Sequence, residues 1–238
     1  MDTLLEQLNS NDEFLNALHI LSYDFHTYSD EEGVVYEEDM LRPFYWSSGV
    51  SKVCIILNEI VLKKAFAGTV TEIDWVTGES LDDPEFDEYE QDMCELEYQV
   101  YQKAIEADVA EFFAELVQLD DGIYAQPKCD LTFDKYLESK DDCETVYLFF
   151  GEDECDLMKQ NFDLQLLHCK LNSTIMSYLY AEYPLKKLQA LQDFLRRYDI
   201  NDLHYGNMGF FNGKLKFFDY CGYCSSTIDQ IRKENSEK

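Results

Sequence analysis

Apolar residues recur at helical spacing near both ends of the chain and change to strand-like runs between them. Leu4, Leu5 and Leu8, then Phe14, Leu15 and Leu18, predict one or two amphipathic helices over residues 3–22, with a break and new N-cap at Ser10-Asn11-Asp12. Met93, Leu96, Val100 and Ala104 form a stripe at spacings of three and four, so residues 93–116 read as the clearest helix. Residues 157–180 and 185–198 are also helical in pattern, the second through Leu185, Leu188, Leu191, Leu195 and Tyr198. Between these ends the period changes. Phe44-Tyr45-Trp46, residues 52–56 and residues 60–66 are β-rich runs, separated by turn residues at Ser47-Ser48-Gly49 and Asn58-Glu59. Three short antiparallel strands follow from that pattern. Ile73–Val76 suggests another strand with a turn at Thr77-Gly78, and residues 112–117 and 122–127 suggest two more across Asp120-Asp121-Gly122. Pro127 ends the last one, since proline cannot continue a ladder. Residues 24–38 are polar and acidic and read as a loop; 131–137 reads as a short helix, and 140–156 as a loop with an apolar run at 146–150. The class is therefore α+β.

Charge narrows the functions open to the chain. The formal net charge is −30. Duplex binding neutralises phosphates with Lys and Arg, so direct nucleic-acid binding is not expected. A basic protein partner is instead the complement of such a surface. Asp82, Asp83, Glu85, Asp87 and Glu88, inside an acidic insert at 79–92, form the candidate patch for it and read as a solvated, mobile run. No stretch of eighteen apolar residues exists to span a membrane. The N-terminus lacks the basic and apolar regions of a secretory signal. The eight cysteines are scattered; Cys221 and Cys224 make a C-x-x-C with no second pair for zinc. Reduced thiols and a cytoplasmic location are expected.

The chemistry concentrates in residues 199–223. Asn212-Gly213 between Met208–Phe211 and Lys214–Phe218 is a strong hairpin signal, because a type I′ turn needs positive φ at both central residues. Asp202 and Asn207 lie in the loop before that hairpin and Asp219 closes it. An acid, a carboxamide and a second acid are thereby brought to one end of a small sheet, the set that phosphoryl transfer uses. An ordinary hairpin whose loop acids cap turns is the plain alternative. Asp202-Leu203-His204-Tyr205-Gly206-Asn207 fits the D-L-x-x-x-N part of the protein-kinase catalytic loop. It also resembles the D-L-H-x-G-N loop of aminoglycoside phosphotransferases and choline kinases. Residues 218–223 resemble the metal-binding segment of those enzymes, and loop and strand together resemble early bacteriophage protein kinases. Two departures stand out: Ile200 occupies the loop-histidine position, and Tyr220-Cys221 replaces Phe-Gly after the metal Asp.

The resemblance implies a bilobal protein-kinase-like fold. Residues 1–38 would be a helical extension, 39–126 a small antiparallel-sheet N-lobe with one helix, and 127–238 a truncated, mostly helical C-lobe. ATP would sit between the lobes with Mg2+, its adenine against the backbone of 122–127. Strand parity leaves Lys63 and Lys64 equally open as the phosphate-contacting lysine; the match of Val61-Leu62-Lys63 to V-A-I-K selects Lys63. Glu97 lies on the apolar stripe, where a carboxylate is costly unless paired, and is its implied partner. Gly49 stands in the turn that would cover the phosphates. Asp202 would orient the acceptor hydroxyl, Asn207 and Asp219 would bind Mg2+, and His204 would orient the loop. The implied activity is an ATP-dependent phosphotransferase, phage-type protein kinases included. Only residues 224–238 follow the metal segment, so on this resemblance the usual activation segment and later helices would be missing. That motivates a second reading, a catalytically impaired kinase-like fold or acidic decoy that inhibits a basic or nucleic-acid-binding partner.

Overall fold

A computed structural model describes residues 11–29, 31–74, 76–133, 164, 167, 171, 173–200, 202–220 and 225–236. The Leu4/Leu5/Leu8 stripe, most of the 131–137 helix, the 146–150 run and the Cys221/Cys224 pair lie outside the described residues. The fold is mixed α+β with largely antiparallel sheets. It divides into two compact units, residues 1–98 with 115–128, and residues 99–114 with 129–238.

In the first unit, helix α1 (Asp12–Leu21) starts where expected, because the Asn11 side chain accepts hydrogen bonds from the backbone N–H groups of Glu13 and Phe14. A five-stranded antiparallel sheet has the order β3-β4-β5-β9-β8. Its strands are β3 (Trp46–Ser48), β4 (Lys52–Ile56), β5 (Ile60–Ala65), β8 (Val117–Asp120) and β9 (Ile123–Pro127). Gly122 turns β8 into β9 at φ 67°. Alternate residues Val53, Ile55, Leu62, Ile123 and Ala125 build one core with Phe14, Ala17 and Leu21 of α1, with Phe25 and Val35, and with Leu41 of the one-turn helix α2 (Glu38–Leu41). Residues 11–38 thus belong to the body of this unit.

The same segment corrects the expected loop at 24–38. It forms β1 (His26–Tyr28) and β2 (Glu31–Val35), which join β6 (Gly68–Ile73) and β7 (Ser80–Glu88) in a four-stranded sheet of order β2-β1-β6-β7. β1 and β6 run parallel. Few of these residues are apolar and buried, so alternation is faint in the sequence. The acidic insert is corrected too: most of it is an ordered strand, although none of its side chains is buried. Gly68 permits the pairing, since a Cβ there would come within 2.1 Å of the Asp87 carbonyl oxygen.

Helix α3 (Met93–Glu106) is capped by Asp92, whose Oδ1 accepts from the N–H groups of Cys94 and Glu95. It stops ten residues short of the expected 116. Asp108 takes a left-handed φ of 57°, and the Val109 N–H closes back on the Ala104 carbonyl at 2.9 Å. The strand expected over 112–117 is displaced: a 3₁₀ turn occupies Ala110–Phe112, and β8 begins only at Val117, because Phe112, Phe113, Ala114 and Leu116 are buried without alternation.

The second unit holds α4 (Ser173–Glu182), α5 (Leu185–Arg197), the hairpin β10 (Met208–Phe211) and β11 (Lys214–Phe217), and α6 (Ser225–Ser236). No helix among the described residues is long and apolar enough to cross a membrane. α6 is tied down at both ends: Thr227 donates to the Tyr198 carbonyl at 2.6 Å, and Glu234 gathers Tyr198, Arg197, Gln230 and Lys103. Burial alone would raise the Glu234 carboxyl, but those donors outweigh it and hold the group at about 2, against an ordinary 4.5. A depressed carboxyl stabilises the fold fully above its unfolded value and loses that contribution as pH falls through the folded one. Acid unfolding of the wild type is therefore expected to steepen between about pH 4.5 and 2. Glu234→Gln should flatten that arm in circular-dichroism titrations.

Candidate functional site

The loop of the second unit is built by the end of α5. Asp199 adopts a left-handed φ of 50°, and the Ile200 N–H returns to the Leu195 carbonyl at 2.9 Å. This is a Schellman closure with aspartate in the usual glycine place. Ile200 is buried, as is Leu203, and the two anchor the loop. Between them Asp202 is exposed.

Hydrogen bonds fix the loop's polar groups. Asn207 Nδ2 donates to the Asp202 carbonyl at 3.0 Å and to its Oδ2 at 3.2 Å. His204 Nδ1 accepts the Gly206 N–H at 3.0 Å, which leaves the imidazole proton on Nε2, 3.5 Å from Asp202 Oδ1. The Asp202 carboxylate is thus held from two sides. Gly206 has a steric reason: a Cβ there would lie 2.8 Å from His204 Cε1.

The hairpin follows at once. Asn212 and Gly213 have φ 52° and 75°, the type I′ pattern. Met208 pairs with Phe217, and the Phe218 N–H donates to the Asn207 carbonyl at 3.0 Å, extending the ladder by one rung. Asp219 is therefore the residue after the cross-strand neighbour of Asn207. Gly209 lets the segment at 130 pair against β10, since its Cβ would meet the Asp130 oxygen at 2.9 Å. Among the described residues no group of three or more His, Cys, Asp or Glu side chains could hold a metal. Magnesium asks for less: it keeps several waters and takes one or two carboxylates beside phosphate oxygens. With Nδ2 committed to Asp202, Asn207 offers its amide oxygen, and Asp219 a carboxylate; both are hard donors that suit Mg2+.

The first unit carries a second constellation. Lys63 pairs with Cys54 and Tyr124 across the sheet, and Lys52 pairs with Ala65, two residues along from Lys63. Both lysines therefore leave the same face. α3 covers that face with Glu97, which is fully buried; its Oε1 accepts from Lys63 Nζ at 2.8 Å and its Oε2 from Lys52 Nζ at 2.7 Å. Beside them, burial pushes the Cys94 thiol well up, so it is a neutral packing group. Tyr124 donates to Glu95 and is likewise raised by burial and by that carboxylate. Lys64 points to the opposite face and reaches Asp24 at 3.8 Å.

Sequence reasoning missed Lys52 and Gln126. Lys52 sits at the parity of Lys63 once the hairpin register is known, a signal available only with the turn placed. Gln126 pairs with Val61 and so shares Lys63's face; it is buried, and its Nε2 has no hydrogen-bond partner among the described residues. Gly49 is less telling. It lies in the turn from β3 to β4, donates its N–H to the Lys52 carbonyl at 3.2 Å, and has open space where a Cβ would go.

No family model, no curated protein and no solved structure matches the chain. The site must be argued from its own geometry.

Removing one member of a buried ionic group is far costlier than replacing the whole group with apolar side chains. Glu97→Ala is expected to destabilise the chain by about 3–5 kcal/mol in urea unfolding. The triple replacement Lys52→Met, Lys63→Met, Glu97→Leu should recover most of that loss. A triple variant as unstable as Glu97→Ala would show that Glu97 acts mainly through packing.

Proposed function

We propose that the chain is an ATP-dependent phosphotransferase of the protein-kinase-like superfamily, of the kind found among phage protein kinases. The observation that carries this reading is the loop in which Asn207 turns its amide nitrogen onto Asp202 at the end of the hairpin that bears Asp219. A turn-capping acid would accept from backbone N–H groups; the Asp202 carboxylate instead meets side chains on both flanks and stays exposed.

Each group then has a role. Asp202 orients the acceptor hydroxyl and takes its proton as the phosphoryl group transfers. His204 and Asn207 keep that carboxylate in one orientation. The Asn207 amide oxygen and the Asp219 carboxylate would hold Mg2+, which would supply charge neutralisation on the phosphates. Lys63 contacts phosphate oxygens and Glu97 keeps its ammonium extended. Burying two lysines on one carboxylate adds little net stability for its desolvation cost, which supports a functional reason for the cluster.

Mutations separate binding from chemistry. Asp219→Asn is expected to weaken Mg-ATP binding in calorimetry and to lower turnover. Asp202→Asn should leave Mg-ATP affinity within about twofold and reduce the rate about 10²–10⁴-fold, because its contact matters mainly in the transition state. The rate is read as transfer of labelled γ-phosphate to the chain itself and to lysate proteins. Wild type that binds Mg-ATP yet transfers nothing would make the chain a nucleotide-binding module; wild type that binds no nucleotide would remove the phosphotransferase reading.

A paired control tests the lysine assignment. Lys63→Met should weaken Mg-ATP binding clearly, and Lys64→Met, on the other face of the sheet, should not. The reverse result would refute Lys63 as the phosphate contact.

A further inference from the structure

The four-stranded sheet of the first unit takes no part in the proposed chemistry, and its last strand is unusual. β7 closes the order β2-β1-β6-β7, so one of its edges has no neighbouring strand among the described residues. None of its side chains is buried. Over Glu85–Glu88 its register with β6 is regular, Thr71 pairing with Glu85, Thr69 with Asp87 and Gly68 with Glu88.

Hydrogen bonds next to that stretch show which way its backbone faces. The Tyr89 N–H donates to the Ala67 carbonyl at 2.7 Å, and the Val70 carbonyl turns away to accept from Ser29 on the β1 side at 2.9 Å. Alternation then directs the peptide groups of Glu85 and Asp87 toward β6, and those of Phe86 and Glu88 outward. An outward row of N–H and C=O groups is a template for another strand.

Side chains decide which strand it would accept. Asp82, Asp83, Glu85, Asp87 and Glu88 are all exposed, so every approach to the edge meets carboxylates. A second copy of this chain would set like charges opposite one another, which destabilises cross-strand pairing. A basic strand reverses the sign of that term and is steered inward by it. Phe86 adds an apolar anchor. It is 54% exposed, and its ring is braced edge-to-face by His26 at 5.2 Å and Tyr36 at 6.0 Å. A braced ring that is more than half exposed suits a lysine or arginine side chain through cation–π attraction. From the back, Tyr89 pins the end of the strand through the hydroxyls of Thr69, at 2.8 Å, and Thr27, at 3.2 Å.

We propose that the outer edge of β7 over Glu85–Glu88 binds an extended, lysine- and arginine-rich segment of a partner protein by strand addition. Backbone pairing supplies direction, the carboxylates select a basic sequence, and Phe86 receives one cationic side chain.

The test uses the full chain and a short fluorescent peptide of alternating arginine and valine, read by fluorescence anisotropy at low salt. The peptide is expected to bind, and binding should fall steeply with added salt. A fully N-methylated version keeps charge and side chains but cannot donate backbone hydrogen bonds; it should bind at least about tenfold more weakly. Glu88→Pro removes one outward N–H and should weaken the unmodified peptide similarly, while Phe86→Ala should also weaken it. Glu85→Gln/Asp87→Asn/Glu88→Gln should lower affinity and flatten the salt dependence. Absence of peptide binding, or equal affinity for both peptide versions, would overturn the proposal; if Glu88→Pro fails to fold, the peptide pair alone decides. Concentration-dependent dimers in sedimentation that Glu88→Pro abolishes would assign the edge to a second copy and overturn it as well.

Discussion

A single buried carboxylate sets the terms for the first unit. Glu97 has no exposed surface and meets the ammonium groups of both Lys52 and Lys63. In a low-dielectric interior, charges are tolerated only in tight, hydrogen-bonded groups, so the positions of all three are mutually determined. α3 cannot slide or rotate by a residue without separating Glu97 from the sheet. β4 and β5 cannot slip, because a one-residue shift would send either lysine to the opposite face among Val53, Ile55 and Leu62. The ionic group therefore fixes register together with the buried apolar face of the same strands. Asp92 begins the helix that delivers it, through bonds to the N–H groups of Cys94 and Glu95.

The sequence made some of this visible and hid the rest for identifiable reasons. Strands β4, β5 and β9, helix α5 and the Asn212-Gly213 hairpin are legible because each combines a clear apolar pattern with a turn or cap residue of defined geometry. The inward position of Glu97 is legible because a charge on an apolar stripe is a local contradiction that only a partner resolves. β1, β2 and β7 were hidden because their side chains are mostly half-buried or exposed; strands held by hydrogen bonds at a sheet's rim carry little alternation. The end of α3 was hidden because Asp108 does work that glycine usually signals. Lys52 was hidden because its relation to Lys63 is diagonal across two strands and appears only once the register is fixed.

Local sequence in the candidate loop is explained by contacts rather than by pattern. Gly206 makes room for the His204 ring, Leu203 and Ile200 hold the loop down, and Asn207 links Asp202 to the ladder that leads to Asp219. Ile200 is buried at the end of α5 and anchors the loop without a polar group. Buried aromatic residues support the hairpin from behind: Phe113 stacks edge-to-face with Phe217 and Tyr220. A rigid hairpin is what allows a short exposed loop to hold its side chains in place.

The exposed strand β7 has one more consequence, for how this unit loosens. Among the described residues it is paired on one side only and gives no residue to the core that unites the five-stranded sheet with α1. Opening it would expose little apolar surface, so its free energy of local unfolding sits near the bottom of the range for this unit. The inner strands, tied together by Val53, Ile55 and Leu62, sit near the top. Amide protons along β7 would exchange with solvent through brief separations from β6 while the Lys52–Glu97–Lys63 group stays closed. The rim of the sheet can thus open and close on its own timescale without disturbing the ionic cluster.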